Sequence, residues 1–501
     1  MLSHVVFLSV GMVIVLTVCR LPMISFLKAK ALKKLALLTM GAMFICFRTS
    51  PITAAEKVPF TPLGAPSCAS AACHNQNLGK GITFSEYTTW TGFDPHHKAY
   101  AVLFNPRSDR IVKNLYNTAA GSAGATQLCL NCHASNQGKS EHAGPGFSVT
   151  EGVGCESCHG ASSGYISIHF TEKFKKLSSQ EKEKEFGLTN TKDLSSRNKM
   201  CADCHVGNAK KGMEVNHDLI AAGHPRLNFE LSAYSAQYPK HWKIEDDLKR
   251  YPDFNAKAWA LGQIQNSKIA LQLLEDRTTS LHGVDGKKNP WPEFTEFDCF
   301  SCHKDLKLNS KKYLGGYSNK PGSLPWGGWF NGNALKLVLE DSKVKAFPTE
   351  VSLQMNQFGA QPIKVGQSCK KAIEQLEIAA QDLEKSPTWN KSQLFSLAKK
   401  LIDSGKINAE KGSWDEFAQL YLGLAAIHNS WDDIDPQGIP KDFTKELVIL
   451  RDLLKDVFPK GFDSPSLFED KFGLNPRNEK SGETFSSVFR SLQIALESNR
   501  R

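Results

Sequence analysis

The chain has 501 residues, 41% hydrophobic and 22% charged, with thirteen cysteines and a formal charge of +10. That length admits two or three domains. Six basic and no acidic residues lie in residues 1–55, which leaves the rest of the chain at about +4, so charge gives no case for a nucleic-acid or anionic-membrane partner.

Residues 1–55 read as an address and not as fold. An apolar run at 4–19 ends at Arg20, and a second start-like stretch opens at Met23. Lys28, Lys30, Lys33 and Lys34 then precede an apolar stretch at 35–47, with small residues for cleavage near Ala54 or Ala55, the order of a secretory signal. The expectation is export to a periplasm-like compartment, with Met23 as the true start. The alternative is a retained N-terminal anchor, although 4–19 is short for a span of about 20 residues.

Exported proteins usually put cysteine into disulfides, but the neighbours of these cysteines argue otherwise. Ten fall in five pairs, each followed at once by histidine; Cys19 and Cys46 lie in the leader, and Cys369 reads as an inert thiol. The first pair, Cys68 and Cys73 before His74, has four residues between the thiols. A longer spacer can bulge and still present both sulfurs; the alternative is a disulfide or two unrelated thiols. The others have C-x-x-C-H spacing: Cys129, Cys132 and His133; Cys155, Cys158 and His159; Cys201, Cys204 and His205; Cys299, Cys302 and His303. This is the attachment signature of c-type haem. Residues three apart share a helix face, so both thiols reach the vinyl groups of one porphyrin edge, and the histidine becomes the proximal iron ligand. Zinc also binds paired cysteines, yet it does not require a histidine directly after every pair. The expected cofactor is therefore five covalently attached haems c, whose propionates largely cancel the remaining positive charge.

Five irons need up to five further ligands. His96 and His97 follow Pro95, which favours a helix start; one of the two, His96 by preference, is a candidate. His142 lies in a Gly-rich loop and is another. His169, ten residues beyond His159, is placed to reach a neighbouring haem. His217 and His224 flank a short helical stretch at 219–222 that Gly223 and Pro225 stop. If helical, they stand about 10 Å apart, so they serve two different irons. His241 and His282 read as surface or propionate contacts, and His428 as structural.

The region 56–310 carries all five motifs, is rich in Gly, Ser and Asn, and shows little strand alternation. The stretch 171–199 alternates lysine with glutamate and reads as a solvated helix and loop. Residues 254–277 carry a broad apolar stripe at helical period. Residues 321–329 form a Gly/Pro-rich linker or lid. Amphipathic runs follow near 332–345, 365–384, 391–404, 412–430, 440–457 and 484–498, with Trp414, Phe417, Leu420, Tyr421, Leu424 and Ala425 as core. The fold expected is mainly α: a leader at 1–55, a loop-rich pentahaem region at 56–310, and a helical bundle at 311–501. No phosphate-binding loop, nucleophile elbow or H-E-x-x-H motif appears, so any chemistry comes from the haems.

Several segments resemble multihaem cytochromes of the cytochrome c-554 family: GVGCESCHG at 152–160, DPHHKAY at 94–100, HDLIAAGHPRL at 217–227, WPEFTEFDCFSCH at 291–303 and WDEFAQLYL at 414–422. The likeness runs through most of 65–500. It implies haems stacked in close pairs, irons mostly held by two histidines, and His96, His169, His217 and His224 as the non-motif ligands. It also implies redox partners, such as a hydroxylamine-oxidoreductase-like donor or a membrane quinol complex. The tetrahaem members have one attachment site fewer, so their ligand pairing does not transfer here. Electron transfer is the function this implies. The alternative is a haem enzyme acting on a small nitrogen or sulfur compound at one open iron; no motif here has lysine in place of histidine, the mark of pentahaem nitrite reductases. A third reading is a structural haem subunit that docks through its C-terminal bundle.

Overall fold

The computed structural model describes residues 59–117, 121–279, 290–299, 326–340, 342, 347–357, 359–409, 412–456 and 484–498. Among them there is no strand, only two isolated bridges, Asn208 with Met213 and Phe297 with Trp326. The architecture is mainly α, as the sequence predicts.

Alanine, leucine and isoleucine at helical spacing drive a helix over Phe254–Thr279, and it packs against Pro362–Lys385, Trp414–Ile434 and Leu194–His205. A single apolar stripe was the expectation, yet this helix is buried nearly all round. Its polar residues make that affordable because each meets a partner. Gln263 donates to Gln419 at 2.9 Å, Asn266 accepts from Asn198 at 2.9 Å, and Ser267 donates to Asn331 at 2.6 Å.

The later amphipathic runs form helices at Lys391–Asn408, Trp414–Ile434, Lys441–Asp456 and Phe485–Glu497. Capping fixes several starts: the Ser413 hydroxyl accepts from the Glu416 N–H, and Asn390 and Gln393 cap each other reciprocally. Within the expected run at 332–345, the described residues are helical over Asn333–Leu339. Trp414, Phe417, Leu420, Tyr421, Leu424 and Ala425 are all buried, in a cluster that also takes in Trp259. Cys369 is fully buried in a second cluster built on Leu261, Ile264 and Leu376, where desolvation raises its thiol pKa.

The N-terminal half is different. Its side-chain clusters are small, one of Leu103, Val112 and Ala123 and one of Ile111, Leu219 and Ala222, joined by short helices and turns. In the lysine–glutamate stretch, a capping box at Ser178 and Glu181 starts the helix Ser179–Phe186. The stretch is not wholly solvated, since Phe174 is buried with its ring 5.2 Å from that of Phe186. No helix among the described residues is long and apolar enough to cross a membrane.

Candidate metal centres

The attachment motifs sit at helix ends. Cys129, Cys132 and His133 lie on the helix Gln127–His133, and Cys201, Cys204 and His205 close the helix Leu194–His205. Cys155 is the N-cap of the short helix Glu156–His159. Cys68 ends a 3-10 turn, with Cys73 and His74 in the turn beyond it. Of the fifth motif, Cys299 is described; Cys302 and His303 lie outside the described residues, as does His282.

Each of the four described motif histidines faces a non-motif histidine. Ring centroids are 6.2 Å apart for His74 and His169, 6.1 Å for His205 and His96, 6.5 Å for His133 and His224, and 6.2 Å for His159 and His241. A metal bound by two imidazoles at about 2.0–2.1 Å from each nitrogen, with each ring centre about 1.1 Å further out, needs centroids roughly 6.2–6.4 Å apart. All four separations lie close to that range.

The outward nitrogens support the same arrangement. Nδ1 of His133 meets the Ala99 carbonyl at 2.8 Å, Nδ1 of His224 the Pro225 carbonyl at 2.7 Å, and Nδ1 of His169 the Ile166 carbonyl at 3.0 Å. A carbonyl can only accept, so Nδ1 carries the proton and Nε2 keeps its lone pair for a metal. Nδ1 of His74 and of His96 meet carboxylates instead, Glu86 at 3.1 Å and Asp94 at 2.9 Å. Burial pushes His159 and His205 down to about 4, which holds both in the neutral form a metal requires.

Close backbone approach fixes His96. Gly152 has φ +69°, and a Cβ there would stand 2.6 Å from the His96 carbonyl. Without it, Val153 N–H donates to that carbonyl at 2.9 Å, while Trp90 Nε1 donates to the Val153 carbonyl at 3.0 Å.

The motifs also touch one another. Cys68 lies within electrostatic reach of Cys155, whose thiol lowers the Cys68 pKa to about 7. Cys132 lowers the Cys204 pKa in the same way, and Cys158 lies within electrostatic reach of Cys201. Among the described residues no three His, Cys, Asp or Glu side chains converge as a tetrahedral metal site would need. Large apolar side chains stand outward beside the histidines: Phe170 is 63% exposed next to His169, and Phe294, 57% exposed, lies 5.5 Å from the His217 ring. A flat apolar cofactor held between the imidazoles would cover such groups, so the residues present fit haem.

Of the non-motif candidates, His96, His169 and His224 each face a motif histidine. His217 faces none among the described residues; its ring packs on Phe294 and its backbone N–H donates to the Glu293 carboxylate at 2.8 Å, on the segment leading to Cys299. His142 is exposed and has no ring contact or side-chain hydrogen bond among the described residues. His241, read from sequence as a surface or propionate contact, is the residue that faces His159. Its flanking aromatics, Tyr238 and Trp242, whose rings pack against it, were the available signal. The fifth motif touches the helical part: Arg226 lies 3.3 Å from the Cys299 sulfur and 2.5 Å from Asp415.

Residues 67–160 match the family model described as cytochrome c554 and c-prime. Neither the curated proteins nor the solved structures contain a match to the chain.

Proposed function

We propose, from the premise that residues 67–160 form a c-type cytochrome region of the cytochrome c554 and c-prime family, that the whole chain is an exported five-haem electron-transfer protein. The observation that carries this reading is the set of four motif histidines, each facing a second imidazole across a gap of iron size. Haem c supplies reversible one-electron exchange at its iron. The ten motif cysteines would form the thioethers, with His74, His133, His159, His205 and His303 on one side of each iron. His169, His224, His241 and His96 would take the other side of the first four, and His217 lies nearest the fifth motif. Two imidazoles leave no position for substrate, so these residues hold the metal for electron exchange and not for bond chemistry. The electrostatic neighbours among the motif cysteines support a spatial order of first, third, fourth and second motif. Redox proteins of nitrogen-compound respiration are the partners this reading favours, and the helices of 311–501 brace the haem-bearing part of 56–310.

Expression of the full chain in a host competent in cytochrome maturation tests the reading by intact mass. The product should exceed the polypeptide by about five haems, and Cys73→Ala should lower that count by one. Colourless protein with ten titratable motif thiols would overturn it.

A further inference from the structure

The facing histidines differ in what holds the nitrogen turned away from the gap. His169 and His224 have neutral backbone carbonyls there. His96 has a carboxylate: Asp94 Oδ1 lies 2.9 Å from its Nδ1 and also accepts the His96 backbone N–H at 2.9 Å. The other oxygen, Oδ2, accepts the Tyr238 hydroxyl at 2.5 Å. The Tyr238 ring in turn lies 5.8 Å from that of His96 and 6.0 Å from that of His241. Asp94 is 2% exposed. The other carboxylate in such a contact, Glu86 on His74, has 23% of its side chain exposed against 1% for Asp94, while the two histidines are alike at 39% and 38%.

We propose that Asp94 is a positioning residue that makes the His96–His205 centre the most reducing of the four, and that Tyr238 sets how much of the Asp94 charge reaches His96. The inference rests on the cytochrome reading above. A carboxylate bonded to Nδ1–H draws that proton away from the ring and makes Nε2 a stronger donor, which favours ferric over ferrous iron. Burial keeps the charge unscreened, whereas solvent and salt screen Glu86. Tyr238 competes for the same charge by donating to the second oxygen. The fourth motif also lies in the interior of the proposed order, since its cysteines lie within electrostatic reach of those of both the second and the third. Asp94 therefore places an uphill step between the two ends.

A spectroelectrochemical titration of the haem-loaded full chain tests this. Asp94→Asn keeps the side-chain acceptor for the His96 N–H and removes the charge; one midpoint potential should move up while the rest stay. Tyr238→Phe should move the same midpoint down, a sign that general loosening of the site would not produce, and it stands alone if the first variant fails to fold. Unmoved midpoints in a fully loaded Asp94→Asn protein, or an upward move in Tyr238→Phe, would overturn the proposal. Wild-type protein devoid of haem would sink the cytochrome reading instead.

Discussion

An imidazole serves a metal best when its second nitrogen is already engaged, because that bond fixes both tautomer and ring direction. The sequence leads to His96, His169 and His224 on local cues, but says nothing of which motif each would face. Pairing is decided by the fold: His96 lies between the first and second motifs in the chain and yet faces the histidine of the fourth. His241 was illegible because a lone histidine between aromatic residues has many bland explanations. Replacement tests it against His142. His241→Ala should convert one haem to high spin, and His142→Ala should leave the spectrum unchanged; the reverse pattern would contradict the pairing. A second residue offers a pH test. Glu230 is fully buried, its carboxylate accepts the Ser232 and Ala233 N–H groups, and burial raises its pKa from 4.5 to about 7. The folded state thus binds this proton more tightly than the unfolded state. That stability is fully present below about pH 4.5 and lost as pH rises through about 7. Glu230→Gln should flatten the fall in urea midpoint across that window, and an unchanged slope would count against it.

Helices were the most legible elements. Period placed most of those of the C-terminal half to within a few residues, because amphipathic spacing survives any choice of partner; Thr349–Met355 was not foreseen. The surroundings of Phe254–Thr279 were not legible: its polar residues look solvent-facing until Gln419, Asn198 and Asn331 are seen to meet them. Packing is close where it crosses Trp414–Ile434. A Cβ on Gly423 would lie 2.6 Å from the fully buried Trp259 ring and 3.0 Å from Leu401. Overpacking costs about 1–3 kcal/mol, more than the roughly 0.5–1 kcal/mol gained by replacing a helical glycine. Gly423→Ala should therefore lower the unfolding midpoint; a rise would show that the helices part easily. Arg226 and Asp415 form another joint between elements, beside Cys299. Removing one partner of a buried ion pair costs about 3–5 kcal/mol, so Asp415→Ala should destabilise the chain by that order in chemical unfolding. A change below about 1 kcal/mol, the range of surface pairs, would mean the joint bears little load.

At the scale of the whole molecule, side-chain core and chemistry-bearing residues are unevenly shared: the fourth and fifth motifs border the core, and the first three lie apart from it. The large apolar clusters lie among the helices from Leu194 onward. The segment before them has few buried apolar side chains, exposed phenylalanines and three motif histidines. A chain of that kind needs another source of apolar mass, which covalent porphyrin would provide. The ring planes give the most direct check. His74 and His169 lie 18° from parallel, whereas His96 with His205 and His133 with His224 cross at 85° and 87°. Parallel imidazoles split the iron d orbitals they overlap, and crossed ones leave them nearly degenerate, so the two kinds of centre differ in electron paramagnetic resonance. The oxidised protein should show low-spin signals integrating to at least four irons per chain, one rhombic and two strongly anisotropic. A spectrum dominated by high-spin iron, or one with no haem signal in protein made under maturation conditions, would contradict the paired-histidine centres.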